Sequence, residues 1–167
     1  MIGYVAVAIL ALGLLGLAFR RLAGAYLTFR GKRVIACPAC GELAAVELAA
    51  GRAAVTAIFR RPALRLRDCS RWSGRRDCGQ DCLEQIEAAP EECLVRTILV
   101  RWYEGKSCTC CGRPLGEISR TQRHPALMSP ELRIFEWRDL QPEKIPRVLE
   151  THQPVCWHCL VAETHTW

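Results

Sequence analysis

The sequence predicts an α+β fold, an N-terminal transmembrane helix followed by a small cysteine-rich domain of the zinc-ribbon or treble-clef kind, on three observations. Residues 2–19 carry no charge, eighteen positions in a row drawn from Ile, Leu, Val, Ala, Gly, Tyr and Phe, which is just enough for a membrane span. Cysteine occurs eleven times in 167 residues, and six of those fall in three CxxC pairs, Cys37/Cys40, Cys108/Cys111 and Cys156/Cys159. Between the pairs, short apolar alternations are interleaved with apolar stripes of helical period. The expected organisation is an anchor at 1–19, a basic juxtamembrane segment at 20–33 and a cysteine-rich metal-binding domain at 34–167, a length that allows one compact core.

The apolar run has a signal peptide as its rival, because Ala23-Gly24-Ala25 looks like a small-residue cleavage site. A basic stretch before the run is missing, however, and Arg20-Arg21 stands between the run and that site, so an uncleaved anchor is expected. No Lys or Arg precedes the span, whereas Arg20, Arg21, Arg30, Lys32 and Arg33 follow it. By the positive-inside rule the N-terminus lies outside and the domain in the cytoplasm. Cytosolic thiols stay reduced, which favours metal ligation over structural disulfides.

After the anchor, Val34-Ile35-Ala36 reads as a strand entering the first knuckle, Cys37-Pro38-Ala39-Cys40-Gly41. Residues 45–48 and 53–59 flank Gly51-Arg52 as a hairpin, with helix as the alternative that the alanines leave open. Arg60-Arg61-Pro62 breaks this segment. Leu64-Arg65-Leu66-Arg67 alternates apolar and basic residues, the pattern of a half-buried strand delivering Cys69. From Asp77 the period turns helical, with Cys78, Cys82, Leu83 and Ile86 on one side, so both sulfurs are expected on one face. Pro90 suits the first turn of a second helix, in which Leu94, Val95, Ile98, Leu99 and Trp102 form a core stripe ending at Gly105. A strand at 133–137, a Pro-bounded helix near 142–150 and a C-terminal helix opened by the last CxxC complete the expectation.

Net charge is +6, unevenly spread. From Arg52 to Arg76 there are eight arginines against one acid, Asp68, while residues 77–92 hold six acids and no base. Beside a lipid bilayer such a block fits anionic head groups, and pairing with the neighbouring acidic block is the plainer alternative. Nucleic acid is not an expected partner: Phe59 and Trp72 are the only aromatics in the block, and no nucleic-acid module is visible.

Tetrahedral zinc takes four Cys or His ligands, usually as two close pairs brought together by the fold. Cys108-Thr109-Cys110-Cys111-Gly112 is a CxxCG knuckle, and Cys156-Trp157-His158-Cys159 is a pair at a helix start. Together Cys108, Cys111, Cys156 and Cys159 supply one zinc site. A second set, Cys37 and Cys40 with Cys78 and Cys82, competes with the view that i, i+4 cysteines are ordinary core residues. Cys93 and Cys110 are left over as packed or free thiols. His124, His152, His158 and His165 are dispersed in polar surroundings, and His158 alone neighbours candidate ligands.

Other chemistries fit less well. Cys37 lacks the strand-then-helix context of a thioredoxin-like dithiol, so thiol redox or electron transfer on a membrane tether is the alternative function. A c-type haem needs His directly after CxxC, where this chain has Leu160. The spacing of Cys69, Cys78, Cys82 and Cys93 matches no iron–sulfur motif. There is no G-x-S-x-G, HExxH or phosphate-binding loop, and an interaction or assembly module is expected rather than an enzyme.

Four stretches, Asp68-Cys69-Ser70-Arg71-Trp72, Cys78-Gly79-Gln80-Asp81-Cys82-Leu83, Glu92-Cys93-Leu94-Val95-Arg96 and Trp102-Tyr103-Glu104-Gly105-Lys106-Ser107-Cys108, resemble a group of uncharacterised bacterial membrane-anchored cysteine-rich proteins. The resemblance covers the middle quarter of the chain and implies no activity. Members of the group that end in CxxCH would carry haem, and Leu160 departs from that ending.

Overall fold

The uncharged run forms a helix, and that helix continues well beyond it: α1 spans Ile2–Phe29. It is, among the described residues, the one helix long and apolar enough to cross a membrane. The computed structural model describes residues 2–72, 78–115 and 125–164. Arg75 and Arg76 of the basic block, the helix start expected at Asp77, and His124 and His165 lie outside them. The chain divides into two compact units, Met1–Lys32 with Val46–Glu91, and Arg33–Ala45 with Glu92–Trp167.

In the first unit, α2 (Ala50–Ala57) packs against α1 and buries Ala50, Ala53 and Ala54. This corrects the hairpin expected across Gly51-Arg52. The alanines recur at helical spacing, and their high helix propensity outweighs the β preference of Val55 and Thr56. Strand β2 (Leu43–Leu48) alternates half-buried and buried positions, and its end pairs antiparallel with β3 (Leu66–Cys69) through Val46 opposite Cys69 and Leu48 opposite Leu66. The strand expected to deliver Cys69 is therefore present. The helix expected from Asp77 is not: α3 covers only Leu83–Ala88, with Cys82 as its N-cap. Gln80 adopts φ 60 and its Oε1 accepts from the Leu66 amide at 3.0 Å, so at position 80 the chain is tied to β3 rather than wound into a helical turn.

The second unit is organised by β4 (Ala126–Met128), the central strand of a sheet ordered β5-β4-β6 with β5 (Ile134–Phe135) and β6 (Gln153–Val155), both antiparallel to it. Successive side chains of a strand point to opposite faces. Leu127 accordingly joins one core with Val34, Val95, Leu99, Tyr103, Ile145 and Leu149, while Ala126 and Met128 join another with Cys108, Val155, Cys156 and Leu160. The first core is built by α4 (Val95–Tyr103) and α5 (Ile145–Thr151). The stripe on α4 is the predicted one, extended by Tyr103, whose hydroxyl donates to the Ala126 carbonyl at 2.8 Å and ties helix to strand. Trp102 Nε1 similarly donates to the Leu149 carbonyl at 2.9 Å.

Strand β1 (Lys32–Ala36) brings Val34 into this core, with the Val34 amide donating to the Cys93 carbonyl at 2.8 Å. Its neighbour Arg33 is 0% exposed. The sequence places Arg33 in a basic juxtamembrane segment; the structure buries it, hydrogen-bonded to Cys93. Burial lowers the Arg33 pKa and raises that of the Cys93 thiol, and each partner opposes the other's shift. Cys93 is thus a partner of a buried cation, a role its sequence position does not reveal.

Candidate metal centre

The face of the sheet that receives Ala126 and Met128 carries the cysteine cluster. Residues 108–112 form a tight turn in which the Gly112 amide donates to the Cys108 carbonyl at 2.8 Å and the Cys108 amide donates to the Arg113 carbonyl at 2.8 Å. Closing this turn requires φ +70 at position 112, a left-handed backbone that glycine adopts without the Cβ clash. Thr109 fastens the knuckle to β6, since both its amide (2.9 Å) and its hydroxyl (3.2 Å) donate to the Pro154 carbonyl.

Two residues on from Pro154, Cys156 stands immediately before α6 (Trp157–Thr164), and Cys159 lies in the first turn of that helix. An i, i+3 spacing on a helix puts both thiols on one side, facing the knuckle. The sulfurs of Cys108, Cys111, Cys156 and Cys159 all lie within 4.8 Å of one another. Cys108 and Cys159 are 3.8 Å apart, and Cys111 and Cys156 are 3.6 Å apart. A tetrahedron with metal–sulfur bonds of about 2.3 Å has edges of about 3.8 Å, so these two separations match such an edge and the four sulfurs are compatible with a metal site. All four are free thiols.

The electrostatics favour a cation. Burial pushes the Cys108 thiol up, but the backbone amides of Cys156, Cys111 and Cys110 aim at its sulfur and bring it down to about 6. The Cys156 amide, at 3.2 Å, is the donor resolved geometrically. Cys156 and Cys159 shift the other way, first through burial and then through the neighbouring sulfurs, which disfavour further negative charge. One thiolate is stabilised by amides, and Cys156 and Cys159 ionise less readily beside it unless a positive charge lies between the sulfurs. A divalent metal supplies that charge and satisfies the four sulfurs at once.

The remaining predicted ligands are divided between the two units. Cys37 and Cys40 belong to the second unit and Cys78 and Cys82 to the first, so neither unit holds that set complete. Among the described residues no other group of three or more Cys, His, Asp or Glu side chains has its ligand atoms together. Cys110 is exposed and outside the cluster, and His158 points away into solvent between the two ligands of its pair. Sequence reasoning missed the β4 strand beneath the site, which is three residues long and offers no periodicity to detect.

Comparison of the chain with protein-family models, with curated proteins and with solved structures gave no match. The site therefore rests on its own geometry.

Proposed function

We propose that this chain is a single-pass membrane protein whose cysteine-rich domain holds one structural zinc ion on Cys108, Cys111, Cys156 and Cys159 and serves as an interaction or assembly module. The observation that carries this is the convergence of those four sulfurs, all within 4.8 Å of one another. A knuckle opposed by a pair at a helix start is also the plan of zinc-ribbon and treble-clef sites, which supports a fold of that kind. Zinc suits a centre closed by four thiolates with no open position, a structural rather than catalytic arrangement. Cys37, Cys40, Cys78 and Cys82 are a second set, to be counted by metal stoichiometry.

Helix α1, with its uncharged stretch and the basic residues Arg20, Arg21 and Arg30 beyond it, supports insertion in the lipid bilayer with the N-terminus outside and the domain in the cytoplasm. Anionic head groups are the proposed partners of the arginine block from Arg52 onward.

Metal analysis with thiol counting on the purified full-length chain tests the centre. One equivalent of zinc in a colourless protein is expected, and a second equivalent would establish the second set. Visible absorbance would move the four thiolates to iron and the function to electron transfer, because a tetrahedral sulfur site accepts either metal. Absence of any metal in protein prepared under reducing conditions would overturn the site.

A further inference from the structure

The side chains of α1 are exposed from residue 3 to residue 17, and cover begins only at Ala18; Ala23 and Thr28 are half-buried, and so are Ala18, Leu22 and Ala25, which with the buried Phe29 make one series. Those positions are spaced four, three and four apart, one face of the helix. Its covering is α2, which runs antiparallel: its first residues share a groove with Tyr26, Arg30 and Gly31, while Arg21 donates to the Ile58 carbonyl beyond its other end at 3.4 Å. The bare part of α1 thus ends where its uncharged run ends, and the turn leaving α2 stands beside that boundary.

This turn has a defined shape. The Phe59 and Arg60 amides donate to the Thr56 carbonyl at 3.3 and 3.0 Å, and the Ala63 amide returns to the Thr56 hydroxyl at 2.9 Å. Both limbs are pinned at one residue, and the tip projects. At the tip Phe59 is 86% exposed, followed by Arg60 and Arg61. An exposed ring alone would be ordinary, but this one stands beside the boundary of the bare apolar helix, where Arg20 and Arg21 of α1 and Arg60 and Arg61 of the turn lie. Arg21 is two residues beyond Phe19, about 3 Å along a helix, whereas the head-group layer is about 5–7 Å deep on each side of the hydrocarbon.

We infer that this turn dips into the bilayer surface, Phe59 entering the acyl boundary while Arg20, Arg21, Arg60 and Arg61 meet lipid phosphates. The contact presupposes the anchor proposed above and gives the diffuse attraction of the arginine block a single point of entry. It fits interfacial chemistry, in which an apolar tip is buried and flanking guanidinium groups reach outward to anionic head groups.

The test uses the full chain in vesicles of phosphatidylcholine and phosphatidylserine with acyl chains brominated near the head group. Phe59→Trp replaces an exposed ring and leaves the packing intact. The emission it adds should be quenched at least twofold by bromination, and less so when phosphatidylserine is omitted or salt is raised. Val55→Trp, one turn further from the boundary, should be quenched less. A chain that floats with the vesicles while the added indole at 59 stays unquenched would overturn the contact, leave the anchor standing and assign the ring to a protein partner. A chain that does not float overturns both.

Discussion

The two CxxCG knuckles of the second unit have the same backbone and different surroundings. In each, the glycine amide donates to the first cysteine's carbonyl at 2.8 Å, from Gly41 to Cys37 and from Gly112 to Cys108. In each, the first cysteine's amide donates to the residue after the glycine, Glu42 at 2.9 Å and Arg113 at 2.8 Å, and the glycine φ is 71 or 70. What differs is the opposing element. The Cys108 knuckle meets β6 and the start of α6, which contribute Cys156 and Cys159, and its first sulfur is 2% exposed. The Cys37 knuckle presents an exposed Cys40 and belongs to no such group among the described residues of its unit. Five residues suffice to shape a knuckle; a metal centre needs a second pair supplied from far along the chain.

The largest effect should come from removing the distant pair. Cys156→Ser is expected to release close to one equivalent of metal and to open residues after Gly112 to limited proteolysis, since structural zinc contributes on the order of 10 kcal/mol to small domains. Cys37→Ser should leave that equivalent in place, and Cys110→Ser should change neither metal content nor protease resistance. Equal metal loss from Cys156→Ser and Cys110→Ser would show that the thiols are paired differently.

Acid should act next, and on one knuckle only. Every ligand must lose its proton to bind metal, and Cys156 and Cys159 are pushed up while Cys108 is held at about 6. Metal affinity should therefore fall as pH is lowered from neutrality, because the ligands take up protons that the metal must displace, and fall more steeply below about 6, where Cys108 joins them. Without metal the signs separate. The lowered Cys108 pKa stabilises the fold above its unfolded value of 9.0, a contribution lost as pH falls through about 6. The raised Cys156 and Cys159 values contribute below the ordinary thiol range and are lost in alkali. Metal-free protein should unfold more readily at both extremes, as read by urea titration, and a flat profile would contradict the cluster's electrostatics.

The smallest effect sharpens the comparison most. Gly41→Ala and Gly112→Ala meet no neighbouring atom but place a Cβ on a left-handed backbone, at a cost of about 1–2 kcal/mol each. Denaturant unfolding should show similar losses for the two variants, whereas metal competition assays should register Gly112→Ala alone.

Much of this was legible in the chain. The knuckles follow from CxxCG, a local pattern with a local consequence, and the Cys108/Cys111 and Cys156/Cys159 pairs could be matched by count because zinc wants four. The α4 stripe declared itself because Leu94, Val95, Ile98, Leu99 and Trp102 recur at helical spacing, and the structure adds Tyr103 to it. Elsewhere local signals competed. Residues 50–57 offered both a turn-like Gly51 and four alanines on one face, and tertiary packing against α1 decided for helix. Cys78 and Cys82 show helical spacing, but the Gln80 side chain is engaged by β3, a commitment fourteen residues away that no window over 78–86 contains. Arg33 reads as part of a basic juxtamembrane segment because its partner, Cys93, is sixty positions distant.

That same distance has a meaning in time. The thiols of Cys111 and Cys156 are separated by 45 positions. At a synthesis rate of about 5–20 residues per second, the finished knuckle waits roughly 2–9 s for the pair that completes it. For that interval Cys108 and Cys111 are a two-legged claw on a nascent chain, able to hold an ion loosely or to meet an oxidant. A metal held by all four thiols would be loaded only after that interval, and the proposed centre needs its first half kept reduced until the second half arrives.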